Sequence, residues 1–267
     1  MSDRERAEEE AAGGTGADDV SAGAADADGA SASAARPEEA AGANVPTVAR
    51  VTEARIPTDL GTFELLLFEM AGERQDHLAM VMGSVAGGEG VLVRVHSACF
   101  TGEVLGSRRC DCGEQLASAI ARVAAEGRGA ILYLDQEGRG IGLREKLRAY
   151  NLQDEGLDTV EANLALGHGA DERDYTVAAV MLRRLGIRSV RLMTNNPAKI
   201  DSLEALGIPV VERVPLEVPV TDDNAPYLRA KAAKLRHMLG GSAQLAAAEP
   251  PRDEAAPQPS AKTAGAS

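Results

Sequence analysis

The run VLVRVHSACFTGEVLGSRRCDCGEQLASAIARVAAEG, residues 91–127, places a strand pattern, a loop and a helix pattern in direct succession. Its opening, VLVRVHSA, is mostly apolar, which is typical of a strand buried in a sheet. Its closing part carries Leu116, Ile120 and Val123 at helical spacing and ends at Gly127, a frequent helix stop. This strand–loop–helix order favours an α/β protein.

The loop between the two patterns contains all three cysteines of the chain, Cys99, Cys110 and Cys112, at a C-x10-C-x-C spacing. Structural zinc sites use four protein ligands, whereas catalytic sites use three and leave one position for water. Three cysteines therefore predict a catalytic zinc site, and the positive end of the following helix would lower the thiol pKa values. Three alternatives remain: buried apolar cysteines, a disulfide with one thiol left over, or a closed four-ligand site that includes His96.

The alternation of strand and helix patterns continues on both sides of this run. Further strand patterns occur at residues 48–58, 62–70, 76–83, 130–136, 189–195 and 208–216, and further helix patterns at 141–156, 171–186, 196–207 and 224–239. The helix at 171–186 is expected to open on Asp171 as its N-cap and to close at Gly186. We therefore predict an α/β fold with a mixed, partly parallel sheet layered with helices, in a single catalytic domain.

The two ends of the chain differ in composition from its middle. Residues 1–45 are poor in large apolar side chains, with eleven acidic and three basic residues, and residues 241–267 are rich in Ala and Pro. We expect both segments to be disordered tails and residues 46–240 to form the catalytic domain. Of the net charge of −13, only −4 belongs to residues 46–240, so the acidity is mostly a property of the tails.

Composition and patterning also exclude several classes of protein. The sequence has no apolar run of 18 residues, which argues against a membrane protein, and MSDRERAEEE does not resemble a signal peptide. A clustered, odd number of cysteines favours metal binding in a reducing cytoplasm over disulfides. Residues 46–240 carry no dense basic stripe, which argues against binding to nucleic acid.

Three further stretches suggest chemistry, although each has an ordinary explanation. Residues 136–142, QEGRGIG, offer glycines, a carboxylate and a guanidinium to a nucleotide, or are a simple tight turn. Residues 171–174, DERD, are catalytic candidates, or are the N-cap and capping box of a helix. Residues 194–199, TNNPAK, could cradle a phosphate at a helix start, or form an Asn-Pro turn with a surface lysine.

Together these stretches resemble the GTP cyclohydrolase II family. The resemblance rests on RVHSACFTGEVLGSRRCDCGEQL, YLDQEGRGIGLREKLRAYNLQDEG, DTVEAN, DERDY and LMTNNPAKI followed by VERVPL, which occur in this order over residues 48–240. It implies hydrolysis of GTP to 2,5-diamino-6-(5-phosphoribosylamino)pyrimidin-4(3H)-one with release of formate and pyrophosphate, the first step of riboflavin biosynthesis. It further implies a cytoplasmic homodimer, one zinc ion per subunit and magnesium on the GTP triphosphate.

The resemblance also assigns roles to residues. Cys99, Cys110 and Cys112 would bind zinc, Asp171 would be the proton acceptor, and Tyr150 would orient the ring-opening chemistry. Arg173 would be the nucleophile toward the α-phosphorus. Because arginine stays protonated in proteins, a phosphate-stabilising role is the conservative alternative for it. The residues expected to hold GTP are Arg94, Val95, His96, Ser97, Gln115, Glu137, Gly138, Arg139, Thr159, Thr194 and Lys199.

The chain departs from the family pattern at three positions. Ala98 stands where the family commonly has Glu, Asp135 where Arg is frequent, and His168 where an aromatic residue is frequent. Two alternatives are therefore kept: a paralogue that stops at a formylamino product or serves another pathway, and a regulatory protein that binds zinc and GTP without turnover. With about 45 residues before the match, we expect no dihydroxybutanone phosphate synthase domain.

Overall fold

The computed structural model describes residues 48–71 and 75–239. The chain divides into two units, Met1–Ala43 and Asn44–Ser267, and all of the described residues belong to the second. The two predicted tails lie outside the described residues, so the proposed domain limits at 45 and 240 stay predictions.

A seven-stranded mixed sheet forms the centre of the second unit. Its strand order is β1-β2-β3-β5-β4-β6-β7; β1, β2, β3 and β5 pair antiparallel, and β5, β4, β6 and β7 pair parallel. This arrangement confirms the predicted α/β class and its partly parallel sheet. The strands are β1 (Val48–Thr58), β2 (Gly61–Met70), β3 (Asp76–Met82), β4 (Val91–Ser97), β5 (Gly129–Leu134), β6 (Val190–Met193) and β7 (Val210–Val214).

Helices cover both faces of the sheet. They are α1 (Phe100–Glu103), α2 (Cys112–Glu126), α3 (Gly142–Asp154), α4 (Thr159–Ala165), α5 (Thr176–Arg184), α6 (Pro197–Ala205) and α7 (Ala225–Lys234). On one face Met181 and Leu182 of α5 lie in the same buried cluster as Val93 of β4. On the other face α2 packs Val123 against Leu92, so β4 is buried on both sides. This two-sided burial explains why the strand pattern at residues 91–98 is mostly apolar.

The structure differs from the sequence prediction at four helices, of which one is the four-residue α1, formed within the predicted cysteine loop. The helix predicted from Asp171 begins only at Thr176, whose backbone N–H (2.8 Å) and hydroxyl (2.7 Å) both donate to the Asp174 carboxylate. Asp171 therefore is not the N-cap, because its carboxylate binds the Arg173 guanidinium instead. Helix α7 ends at Lys234, short of the predicted 239. Helix α4 was not predicted, although Asp158 and Glu161 form a capping box at its start.

The parallel strands direct their carboxyl ends to one edge of the sheet. From β4 the chain passes through α2 to β5 on one side, and it later returns to β6 on the other side of β4. In open α/β sheets, ligands bind outside the carboxyl ends of the strands, at the point where successive connections leave to opposite sides and the strand order reverses. Ser97, Gln136 and Thr194 each lie at or just after the carboxyl end of one of these three strands.

Candidate active site

A cleft with two adjoining lobes lies at this edge of the sheet. The metal lobe is lined by, among others, Cys99, Cys110, Cys112, Glu137, Tyr150 and Thr159. The basic lobe is lined by, among others, Arg94, Gln115, Thr194, Lys199, Lys231 and His237. The two lobes share Ser97, Cys112, Arg139, Arg173 and Tyr227, so one elongated ligand could occupy both.

The metal lobe brings the three cysteines together as free thiols. Their sulfur atoms all lie within 4.8 Å of one another, and the Sγ atoms of Cys99 and Cys110 are 3.6 Å apart. Thiolates about 2.3 Å from a tetrahedral zinc ion lie roughly 3.8 Å from each other, so the spacing fits a three-thiolate metal site. The disulfide alternative does not apply. Among the described residues the cluster consists of the three cysteines and does not include His96, whose Nε2 lies 2.8 Å from Glu103 Oε1.

Two glycines allow the short helix α1 to pack directly against the sulfur atoms. A Cβ atom on Gly102 would lie 2.7 Å from Cys110 Sγ and 3.2 Å from Cys99 Sγ. A Cβ atom on Gly113 would lie 2.5 Å from the Gly102 carbonyl oxygen. Neither distance is compatible with a side chain, so both positions require glycine for close approach. Neither glycine was predicted from the sequence to have this role.

Lys146 joins the cysteine cluster to the carboxylate of the 136–142 turn. Its Nζ donates to Cys99 Sγ (3.1 Å) and to Glu137 Oε1 (2.7 Å). Hydrogen bonds from Cys110 and Cys112, together with the charge of Lys146, lower the pKa of the Cys99 thiol. Burial alone would lower the pKa of Lys146, but its two anionic partners raise it. The lysine therefore is a fixed positive charge between the cysteines and Glu137.

The 136–142 turn adopts a backbone that most residues avoid. Gly138 and Arg139 both lie in the left-handed region, with φ of 63° and 65°. This conformation is costly for an arginine and is found mainly at functional sites. Both terminal nitrogens of Arg139 are buried without a hydrogen-bond partner among the described residues. The turn thus presents an unsatisfied guanidinium to the cleft.

The basic lobe concentrates positive charge inside an acidic chain. Among the described residues, no carboxylate lines this lobe. Five basic side chains line it: Arg94, Arg139, Arg173, Lys199 and Lys231. The Lys199 Nζ donates to the Val95 carbonyl oxygen at 2.7 Å. Burial, and next the charges of Arg94 and Arg173, lower the pKa of Lys199 well below its usual range. An anionic ligand would relieve this repulsion.

Arg94 is held in the wall of this lobe by two neighbours. Its guanidinium donates to the Met193 carbonyl oxygen at 2.9 Å and to Gln115 Oε1 at 2.6 Å. Gln115 in turn donates to the Asp111 carboxylate at 2.6 Å. Burial lowers the pKa of Arg94 to about 10, which leaves the group charged at neutral pH. These contacts fix the orientation of the guanidinium before any ligand binds.

Asp171 stands behind Arg173 and does not line either lobe. The Arg173 Nε donates to Asp171 Oδ1 at 2.7 Å, and Arg173 NH2 also pairs with this carboxylate. Burial opposes ionisation of Asp171, but the hydrogen bonds and charge of Arg173 outweigh it and lower the carboxyl pKa. Burial likewise disfavours the charged Arg173, but Tyr175 and Asp171 raise its pKa. The pair is a carboxylate that orients a permanently charged guanidinium.

The remaining predicted residues occupy supporting positions around the cleft. Tyr150 lines the metal lobe, with its hydroxyl 3.3 Å from Thr101 Oγ1. Thr159 lines the same lobe at the start of α4, and Thr194 lines the basic lobe before α6. His96 lines the basic lobe, and burial lowers its pKa to about 4, so the ring is neutral.

The three departures from the family pattern fall in different environments. Ala98 lines the metal lobe beside Cys99. Asp135 is exposed, and its backbone N–H donates to His77 Nδ1 at 3.2 Å. His168 Nδ1 lies 3.3 Å from Glu172 Oε1. Of the three, only Ala98 lines either lobe.

Several lining residues were missed by the sequence analysis. They are Lys146, Tyr227, Lys231 and His237, with Asp111 behind Lys231. A charged residue in an amphipathic helix usually lies on its solvated face and an aromatic residue on its buried face, so the sequence alone offered no reason to assign these residues to a site. The one available signal was for Asp111, because an acidic residue between two cysteines predicted to bind metal needs a partner for its charge.

Comparisons with known proteins agree with this geometry. A sequence model of GTP cyclohydrolase II matches residues 49–215. The GTP cyclohydrolase-2 of Hahella chejuensis is 55% identical over 193 residues, which are 72% of this chain and 93% of that protein. The GTP cyclohydrolase-2 of Aeromonas hydrophila is 54% identical over 193 residues, which are 72% of this chain and 98% of that protein.

A longer relative matches over the same part of the chain. The riboflavin biosynthesis protein RibBA of Bacillus mycoides is 54% identical over 192 residues, and the match spans 72% of this chain but 48% of that protein. In the part of the chain that the structure describes, no helix is both long and apolar enough to cross a membrane. From the family match and the two relatives covered almost end to end, we conclude that the chain belongs to the GTP cyclohydrolase II family of hydrolases.

Proposed function

We propose that this protein is a zinc-dependent GTP cyclohydrolase II of riboflavin biosynthesis, which converts GTP to 2,5-diamino-6-(5-phosphoribosylamino)pyrimidin-4(3H)-one, formate and pyrophosphate. One observation carries the proposal: a lobe with three clustered thiols adjoins a lobe lined by five basic side chains. The first suits chemistry at a base, and the second suits a triphosphate. GTP carries both groups in one molecule.

In this proposal Cys99, Cys110 and Cys112 hold one zinc ion per subunit. When bound, zinc supplies Lewis acidity and lowers the pKa of a coordinated water. Gly102 and Gly113 keep room for the sulfur cluster, and Lys146 fixes the position of Cys99. The chain's own residues thus determine where the reacting base lies.

Recognition of the guanine falls to the 136–142 turn. The Glu137 carboxylate is held by Lys146 and by the backbone N–H of Phe100 (2.6 Å). A carboxylate can accept hydrogen bonds from the N–H groups of a guanine edge. Gly138 lets the backbone approach the ring, and Thr159 and Tyr150 line the same lobe. Tyr150 would orient the opened ring.

The basic lobe would bind the triphosphate together with magnesium, which prefers phosphate oxygens. Arg94, Arg139 and Lys199 line the lobe. Among the described residues, no carboxylate lines it. Arg173, whose pKa is raised, stabilises charge on the α-phosphate in this scheme, and Asp171 orients it. The paired guanidinium favours this phosphate-stabilising role over that of a nucleophile. Asp171, ionised at neutral pH, remains the candidate proton acceptor.

A second candidate activity has one observation in its favour. Ala98 lines the metal lobe at the position where the family commonly has Glu. If the missing carboxylate assists removal of formate, the protein would release a formylamino product instead. The two activities differ in their products and can be separated by mass.

We further propose a cytoplasmic homodimer that acts on GTP. Exposed apolar side chains near the metal lobe support an interface: Phe100 (44% exposed), Val104, Leu105, Leu143 and Leu147. Light scattering tests this, because a dimer predicts twice the chain mass. Substitution of Leu147 with Glu should then shift the mass toward the monomer.

Two substitutions test the assignment of the two lobes. Cys110→Ser should remove a zinc ligand, so bound zinc and turnover should both be lost. Arg173→Ala should lower turnover at least a hundredfold, about 3 kcal/mol of barrier, while zinc stays bound. The measurements are metal analysis by mass spectrometry and formate release from GTP. Full zinc in a Cys110→Ser/Cys112→Ser double variant would contradict the metal site.

A further inference from the structure

The C-terminal part of the described chain forms one wall of the basic lobe. Tyr227 and Lys231 reach the lobe from α7, and His237 reaches it from the segment that follows. These residues lie beyond residue 215, where the match to the family model ends. None of them was selected by the sequence analysis. Residues 225–239 are called the C-terminal wall below.

Specific contacts hold the C-terminal wall in place. Lys231 Nζ lies 2.6 Å from Asp111 Oδ1, and both side chains are almost fully buried. The backbone N–H of Met238 donates to the Asn195 carbonyl oxygen at 2.8 Å, and that of His237 donates to the Lys231 carbonyl oxygen at 3.1 Å. The wall is therefore fixed both to the turn between two cysteines and to the Thr194–Asn196 loop.

His237 is the unsatisfied group in this wall. Its Nε2 is buried and has no hydrogen-bond partner among the described residues, although it lines the basic lobe. A buried polar atom without a partner costs free energy unless a ligand or water completes it. Burial, and next the charges of Lys231 and Arg173, lower the pKa of His237 to about 3. At neutral pH the ring is uncharged and can carry a proton on Nε2 as a donor.

We infer that the C-terminal wall completes the polyphosphate site. In this site His237 is a further phosphate-binding residue, and Lys231 is a cation that faces the same phosphate groups. The inference rests on the proposed function, because it names residues for one end of the same substrate. The ion pair with Asp111 fixes the position of the Lys231 ammonium group in the wall of the lobe. His237 offers a directional donor to a phosphate oxygen.

Affinity for inorganic tripolyphosphate tests this inference without requiring turnover. In zinc-loaded full-length protein, measured by isothermal titration calorimetry, His237→Ala should weaken tripolyphosphate binding about tenfold, as expected for one hydrogen bond to a charged group. Binding of guanosine, which has no phosphate, should change less than twofold. His237→Gln keeps a side-chain donor and should recover part of the affinity.

Arg236→Ala is the matched control. Arg236 is the preceding residue, is exposed and does not line the lobe, yet its loss removes a full positive charge. The control should change tripolyphosphate affinity less than twofold. Equal affinity in wild type and His237→Ala, with guanosine and tripolyphosphate both bound by wild type, would overturn this inference and leave the proposed function standing. Wild-type protein that binds neither probe would overturn both.

Discussion

A single side chain in this site can contact two functional groups that are far apart in the sequence. Lys146 contacts Cys99 and Glu137, so the position of a proposed zinc ligand depends on the same side chain as the position of the carboxylate proposed to bind guanine. Both ends of the Lys146–Glu137 pair are nearly buried, with side chains 10% and 12% exposed. Breaking such a pair leaves an uncompensated charge, which costs more than the pair contributes.

Substitution of Lys146 with Met should therefore destabilise both the fold and the metal site. We expect the free energy of unfolding to fall by about 3 kcal/mol, and zinc to be extracted faster by a chelator. Urea unfolding and the rate of zinc release measure the two effects. Arg148→Met, which removes a 61% exposed cation paired with Glu145 on the same helix, is the control and should change stability by less than about 0.5 kcal/mol. Unchanged zinc release in Lys146→Met would rule out the link.

The Asp171–Arg173 pair predicts a dependence of stability on pH. Because the folded-state pKa of Asp171 is lowered, its contribution is present above the ordinary aspartate pKa and is lost as pH falls through the folded-state value. Asp171→Asn should thus lower the free energy of unfolding by about 1 kcal/mol at pH 7. The difference from wild type should vanish in acid. Urea unfolding from pH 7 to 2 measures this, and a difference that grows in acid would show the wrong sign.

At the scale of helices and strands, the sequence predicted well wherever local pattern and tertiary packing agree. Strand β4 reads as a continuous apolar run because helices cover both of its faces. The start of α5 was misplaced because the Asp171 carboxylate binds Arg173 instead of capping the helix, which begins only at Thr176, after Tyr175 at the N-cap position. Helix α4 was missed because seven residues give too short a periodic pattern, although its capping box was visible as DTVE.

At helix α4, the stabilisation that comes from the helix cap can be measured apart from the stabilisation that comes from contacts with α7. Asp158 accepts hydrogen bonds from Val160 N and Glu161 N, and it also pairs with Lys234 of α7. Asp158→Ala removes the cap and one ion pair. Lys234→Ala removes that ion pair and a second one with Glu161, but it leaves the cap in place. We expect Asp158→Ala to cost about 1 kcal/mol more than Lys234→Ala in thermal or urea unfolding. Equal losses would mean that the cap contributes nothing.

At the scale of the whole molecule, the charge of the cleft is opposite in sign to the net charge of the chain. The chain carries a net charge of −13, yet the cleft at the carboxyl ends of β5, β4 and β6 is lined by five basic side chains in its basic lobe. Arg94 and Arg139 could be selected because they lie in motifs beside the cysteines and the glycines. Lys231 and His237 could not, since only folding brings a segment more than one hundred residues later in the chain to the cysteine turn.

We propose that the two lobes act together on GTP. Mass spectrometry can identify the products after the zinc-loaded protein is mixed with GTP and magnesium. We expect equal amounts of formate, pyrophosphate and 2,5-diamino-6-(5-phosphoribosylamino)pyrimidin-4(3H)-one. A product that retains the formyl group would contradict release of formate and point to Ala98. Unchanged GTP, with zinc bound, would contradict the catalytic assignment of the site.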